Sequence, residues 1–279
     1  MIGLAHILMV GFYVSELWKQ ILWVTMTGTA MFMLVHDRVV KPYKMSNSPY
    51  RVNDIRQEAD KVWTLEVVPE GHGGIKFDAG QFAWITLEDT PYSLQQHPFT
   101  IASGEGQTDK YLFTIKELGD FTSTIKDLEK GQTAYLEGPY GAFTLPDGSD
   151  DVFFVVGGIG ITPIISMLRT MRDKGDQRKV ILLYGNMDIE TTIFREELEE
   201  LEKELNLTVS YILENPPSGW GGYSGYITPK IIRQQLPENF KDFHYYVCGP
   251  EPMMDLAEIA LKRNEVPFYR VHSERFNIV

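Results

Sequence analysis

Residues Val155-Val-Gly-Gly-Ile-Gly-Ile-Thr-Pro163 carry the strongest chemical signal in the chain. Gly157, Gly158 and Gly160 strip side chains from a turn, and Thr162 and Pro163 follow where a helix would begin. Proline suits a first helical turn, because its missing N–H is not needed there. A strand feeding a helix through such a turn leaves free N–H groups and the positive end of the helix dipole facing outward, which suits phosphate. Tight helix–strand packing would use the same glycines with no ligand at all, and the spacing departs from the G-x-G-x-x-G dinucleotide pattern. A second turn of this kind is Tyr246-Val-Cys-Gly-Pro-Glu-Pro-Met-Met254, in which Gly249 and Pro250 lie between a strand end and a helix. Its Cys248 is the single cysteine, so a disulfide framework and any zinc or iron–sulfur site needing several thiolates from this chain are excluded. A lone buried cysteine is ordinarily a small apolar filler.

Two further segments complete the set. His97-Pro98-Phe99-Thr100 reads as an extended strand ending in a hydroxyl. Ile115-Lys-Glu-Leu-Gly-Asp-Phe-Thr122 offers Lys116 as a charge, and its backbone from Gly119 through Phe121 to Thr122 could cradle phosphates. A solvated turn before a helix is the plainer reading of that segment.

The elements that must position these residues fall into two patterns. Between residues 45 and 148 short β-branched and aromatic runs, Tyr50–Asn53, Val62–Val67, Gln81–Leu87, Tyr111–Ile115 and Thr133–Glu137, alternate with turn clusters such as Glu70-Gly-His-Gly-Gly74. That rhythm predicts an antiparallel barrel or sandwich. From 149 to 279 strands and helices alternate: strand Val152–Val156, helix Pro163–Arg172, strand Val180–Tyr184, helix Thr192–Leu205, strand Thr208–Leu213, helix Pro229–Gln235, strand Tyr245–Cys248 and helix Glu251–Arg263. Such alternation predicts a parallel sheet covered on both faces, with ligand at the carboxyl ends of its strands in the cleft between the domains. The length of 279 residues suits two domains, and a formal charge of −12 disfavours nucleic acid as a partner.

Residues 1–44 differ. Ile2–Trp18 and Ile21–Val35 are apolar stretches, followed by the basic residues Arg38, Lys41 and Lys44. Each would cover about 25 Å as a helix, short of a bilayer core of about 30 Å. The basic run places that end on the cytoplasmic side of a cell membrane. Two buried helices of a soluble cap are the alternative, and a secretory signal fits poorly because Met1 has no basic flank.

In order, these motifs resemble the ferredoxin-NADP reductase superfamily, most closely the dehydrogenase region of NADPH oxidases and ferric reductases. The resemblance implies an α+β two-domain fold: a short helical membrane segment (1–44), an FAD-binding antiparallel β-barrel (45–148) and an NAD(P)H-binding α/β domain (149–279). His97, Pro98, Phe99 and Thr100 would hold the flavin, with His97 standing where the superfamily more often has arginine. Lys116, Gly119, Phe121 and Thr122 would face its pyrophosphate, and Glu137-Gly-Pro-Tyr-Gly-Ala-Phe143 resembles the closing turn of the barrel. Gly157, Gly158, Gly160, Thr162, Pro163, Gly249 and Pro250 would take the nicotinamide dinucleotide, with Cys248 beside the ring that gives up hydride. Glu274-Arg-Phe276 resembles the family's acidic–x–aromatic ending, whose ring covers the flavin. Met187 and Asp188 stand where a 2′-phosphate would want basic partners, so NADH is as well suited as NADPH, with Arg195 the one cation in reach. His6 falls where relatives carry a haem ligand, though haem would need further helices. The implied activity is transfer of hydride from NAD(P)H to FAD and of single electrons to haem, oxygen or ferric iron. A soluble reductase serving a protein partner and a non-catalytic flavoprotein subunit are the rival readings.

Overall fold

The computed structural model describes residues 15–88 and 90–276. His6, and with it the haem reading, lies outside them. Helix α1 (Leu17–Val35) passes through a π turn at His36–Val40 into α2 (Lys41–Ser46). The sequence suggests a break between Trp18 and Ile21, but α1 is continuous there. Trp18 and Lys19 both bond the Glu16 carboxylate, at 2.8 and 2.9 Å, and Gln20 continues the helix. With Lys19 and Gln20 inside α1, no helix among the described residues is long and apolar enough to cross a membrane. The soluble-cap alternative fares no better, because α1 buries none of its residues and leaves Leu17, Ile21, Val24 and Phe32 exposed. The far end of this arm is fixed to the barrel: Pro42 and Met45 are buried, and Lys41 Nζ lies 2.6 Å from the Glu137 carboxylate.

The first sheet has six antiparallel strands: β1 (Tyr50–Ala59), β2 (Val62–Pro69), β3 (Phe82–Thr86), β4 (His97–Thr100), β5 (Tyr111–Lys116) and β6 (Thr133–Tyr140). Their spatial order is β4-β3-β6-β1-β2-β5. Just past β4 the Ala102 N–H donates to the Leu112 carbonyl at 2.7 Å, and this bond brings the two ends of the order together as a barrel. Alternation along the strands turns Leu65, Val67, Ala83, Ile85, Phe113, Ile115 and Leu136 into one core. A short helix, α3 (Asp120–Ser123), follows β5. β1 outruns its expected end at Asn53 because Asp54, Arg56 and Gln57 stay in the ladder with β2.

The second sheet is parallel throughout, in the order β10-β9-β8-β7-β11-β12. Its strands are β7 (Val152–Gly157), β8 (Val180–Asn186), β9 (Leu207–Leu213), β10 (Tyr223–Ser224), β11 (His244–Cys248) and β12 (Val271–Glu274). Helices α4 (Ile161–Asp173), α5 (Arg195–Glu204), α6 (Pro229–Gln235) and α7 (Glu251–Arg263) connect them. Every residue of β7 is buried, as a central strand covered on both faces requires. α5 starts three residues later than expected. Phe194 before it adopts a left-handed φ of 59°, and the Asp188 carboxylate accepts the Thr191 N–H at 2.8 Å, which holds the chain in a turn.

At the amino ends of β11 and β12 two imidazoles share one hydrogen bond, His244 Nδ1 to His272 Nε2 at 3.1 Å, and His272 stacks on Tyr246 at 4.7 Å. The Asp150 carboxylate lies 3.4 Å from His244 Nε2, and Arg270 bonds the same carboxylate. Burial holds both histidines below their ordinary range. Arg270 and Arg178 add to this at His244 and Asp150 opposes it, while His244 adds to it at His272. The unfolded chain therefore takes up protons first as pH falls, so this stabilisation is complete above about pH 6.5 and is lost below it. The thermal midpoint is expected to drop by a few degrees between pH 7 and 5. In His272→Gln, whose amide can bond without titrating, the slope of a scanning-fluorimetry pH series should be shallower.

Candidate functional site

The carboxyl ends of β7 and β11 lie side by side, with Cys248 paired to Val156 and, on its other flank, to Glu274 of β12. This register brings the glycine turn after β7 against the Cys248-Gly249-Pro250 turn. A Cβ at Gly160 would sit 2.5 Å from the Cys248 carbonyl oxygen, and one at Gly157 would sit 2.7 Å from Pro250 Cδ. Gly249, at φ +153°, has its missing Cβ 2.8 Å from the Gly157 nitrogen. Packing between the two turns thus accounts for three of the four glycines. Gly158 is different: its φ is +52°, nothing lies within 4 Å of where its Cβ would be, and its carbonyl accepts the Tyr184 hydroxyl at 3.3 Å. A cradle that a side chain would fill, at the start of α4, fits a phosphate-bearing ligand. Thr162 and Pro163 are buried in the first turn of α4, and the Thr162 hydroxyl donates back to the Ile159 carbonyl at 3.1 Å.

Cys248 has no exposed surface. Burial, with the Glu274 carboxylate beside it, pushes its thiol far up, so it is a protonated, neutral group at any physiological pH. Burial also raises Glu274. The tail is pinned by Arg275, whose guanidinium reaches Asp255 at 2.8 Å and Glu258 at 3.2 Å on α7, and Phe276 follows, 39% exposed. The sequence reading passed over Arg275 because its partners lie one helix away.

On the barrel, His97 stacks on Phe121 with ring centroids 3.7 Å apart, and Phe99 lies nearly parallel to Phe121 at 6.1 Å. Pro98 faces outward, while Thr100 is buried. Burial lowers the His97 pKa, so the imidazole is neutral near pH 7 and offers a flat ring and a hydrogen-bonding group rather than a charge. Lys116 stands exposed at the end of β5 and supplies the charge in this segment. In the Gly119 turn the Thr122 hydroxyl accepts the Leu118 and Gly119 N–H groups at 2.8 and 3.0 Å. Those two donors are already engaged, so a pyrophosphate here must displace Thr122 or use the N–H groups beyond it.

The expected cation for a 2′-phosphate is likewise engaged: Arg195 is exposed and lies 3.7 Å from Glu199 one turn along α5. Met187 is exposed, and the Asp188 carboxylate is turned onto Thr191. Asn186, at the carboxyl end of β8, was missed by sequence reasoning. It is 7% exposed and its side chain lies against the Tyr184 hydroxyl, which in turn donates to the Gly158 carbonyl, so the end of β8 supports the glycine turn from below. A cleft of about 410 Å³ between the domains lies at the opposite, amino ends of the strands, among Asp78, Pro146, Lys174 and Arg178. It is therefore separate from the glycine turns, where the topology puts the site.

Residues 154–258 match the family described as oxidoreductase NAD-binding domain, and residues 64–144 match the FAD-binding domain family. The chain is 31% identical over 185 residues to NADH-cytochrome b5 reductase 1 of Aspergillus terreus, a match covering 63% of this chain and 62% of that protein. It thus spans about three fifths of the length of the curated relatives it matches. Among solved structures it superposes on the FAD/NAD-binding domain of nitric oxide dioxygenase from Vibrio cholerae with a TM-score of 0.72 at 20% identity, covering 82% of this chain and 98% of that one. The ferredoxin reductase of carbazole 1,9a-dioxygenase gives a TM-score of 0.71 at 22% identity over 82% of this chain and 69% of that one.

Two glycine substitutions separate packing from binding. Gly160→Ala drives a methyl into the Cys248 carbonyl and is expected to cost about 3 kcal/mol or prevent folding. Gly158→Ala meets only the left-handed backbone penalty of about 1 kcal/mol, yet fills the cradle, so KM for the nicotinamide dinucleotide should rise about tenfold or more. Urea denaturation and steady-state kinetics check the pair. Equal stability losses with no change in KM would remove Gly158 from the binding surface.

Proposed function

We propose that this chain, which matches the FAD-binding and NAD-binding domain families in that order, is a ferredoxin-NADP reductase-type NAD(P)H oxidoreductase that passes electrons to a partner. One observation carries this reading. The Gly158 cradle and the Cys248–Pro250 turn meet at the carboxyl ends of β7 and β11, and the helix that starts there, α4, is bonded to the segment that continues the His97–Thr100 strand. FAD, when bound, supplies hydride acceptance and release of single electrons. The protein's part is orientation: the Phe99–Phe121–His97 stack and Thr100 would hold the ring system. The open turn at Gly158 would receive the dinucleotide. Half-buried Glu274 would line the approach to the reacting carbon, with neutral Cys248 packed beneath the turns as their support, and neither would act as nucleophile or base.

Three finer points belong to the same proposal. His97, in place of the commoner arginine, supports the NADPH oxidase and ferric reductase branch. The acceptor would be a haem protein, a ferric chelate or oxygen, and the name of the curated relatives favours a haem protein. The bare apolar surface of α1, with Arg38, Lys41 and Lys44 after it, supports attachment to the cytoplasmic face of a cell membrane.

Purified protein supplied with FAD is expected to oxidise NADH with ferricyanide as acceptor, and FAD should bind more tightly than FMN. No turnover by flavin-loaded protein would leave the non-catalytic subunit as the answer. With Asp188 and Arg195 both engaged, kcat/KM for NADPH and NADH should agree within about tenfold, or roughly 1.4 kcal/mol. Arg195→Ala should leave that ratio unchanged. A ratio that collapses in Arg195→Ala would show that the guanidinium leaves Glu199 for a 2′-phosphate.

A further inference from the structure

Arg169 is a charged side chain buried to 7% exposure at the junction of the two domains. Its Nε and Nη2 bond the two carboxylate oxygens of Glu197, each at 2.6 Å, and the guanidinium lies 5.3 Å from the centre of the Phe194 ring. Those partners belong to its own domain and already satisfy its charge. The remaining nitrogen, Nη1, crosses to the barrel and donates to the Ala102 carbonyl at 2.7 Å. Beside it on α4 the Ser166 hydroxyl donates to the Ser103 carbonyl at 2.7 Å, and the Thr170 hydroxyl accepts the Glu105 N–H at 2.9 Å. Gly104 completes the fit, because a Cβ there would lie 3.1 Å from the Asp173 carboxylate. One helix face thus grips backbone groups across 102–105.

Both ends of this grip lead into the site. Ala102 lies two residues, about 7 Å of extended chain, beyond Thr100. Arg169 lies seven residues, about 10 Å of helix, beyond Thr162 in the opening turn of α4. We infer that Arg169 is a positioning residue for hydride transfer, fixing the distance between the flavin strand and the dinucleotide turn through the Ala102 carbonyl. The inference rests on the proposed oxidoreductase activity. A planar guanidinium can hold Glu197 with two nitrogens and Ala102 with another, whereas an ammonium is a single point and cannot hold both in one geometry. The distance across the domain junction would then fluctuate, and transfer, which depends on a near-contact geometry, would slow while each ligand still finds its own domain intact.

The test is stopped-flow reduction of bound FAD by NADH and by NADH deuterated at the transferred position, in wild type, Arg169→Lys and Ser166→Ala. Wild-type flavin that NADH does not reduce would sink the oxidoreductase reading and this inference with it. With wild type active, Arg169→Lys is expected to keep its FAD and its apparent affinity for NADH while the limiting reduction rate falls at least tenfold and the isotope effect grows. Ser166→Ala, which removes one grip of three, should fall two- to fivefold, and it stands as the measurement if Arg169→Lys does not fold. A reduction rate within twofold of wild type in flavin-loaded variant, whatever the loss in thermal midpoint, would make Arg169 a structural clasp only.

Discussion

Two turns can occupy the space above one pair of parallel strands only if neither puts a side chain between them. At the ends of β7 and β11 that condition is met by Gly157, Gly160 and Gly249, whose missing side chains leave room for each other's backbone. Much else follows from that contact. The two turns start α4 and α7, so both helices are placed by it. Cys248 is sealed beneath it, and Gly158 is left as the glycine facing open space. The ligand surface is therefore a by-product of a packing constraint, and its shape cannot drift without the sheet ends separating.

This division also shows how far the residues could be read in advance. The strand–turn–helix alternation of residues 149–279 was legible because buried parallel strands are continuous apolar runs, and β7 and β11 matched that pattern closely. β10 and β12 were not. Tyr223-Ser224 is two residues among glycines, and Val271-His-Ser-Glu274 has one apolar residue; each is a strand only because a neighbour offers its edge. The same holds for the polar end of β1. At the site, the glycine turn was visible as a motif, but its glycines do two jobs that identical letters cannot distinguish. Arg169 and Arg275 gave no signal, since what makes them notable is a partner remote in sequence.

Electrostatics refine the picture that residue types alone suggest. A histidine in a phosphate-binding position invites the assumption of positive charge, yet stacking against Phe121 withdraws His97 from water and favours its neutral form. Arg195 and Asp188 form a similar case on the other domain: each is engaged locally, and neither charge is presented to a ligand. In a chain of net charge −12 the site is thus built from backbone donors and rings, with Lys116 exposed at its margin. Such a site would read shape and hydrogen bonding more than charge, and so would distinguish little between two forms of a dinucleotide that differ by one phosphate.

The arm before the barrel obeys a different logic from the two domains. α1 buries none of its residues, so packing among the described residues does not explain why it is helical and apolar. It is attached to the barrel at its far end, where Lys41 meets Glu137 and the Tyr140 hydroxyl donates to the same carboxylate at 2.6 Å. Glu137 pairs with Trp84 of β3, and Trp84 pairs in turn with Pro98 of the flavin strand. The far end of the arm is therefore held, through two neighbouring strands, beside the strand that would carry the flavin.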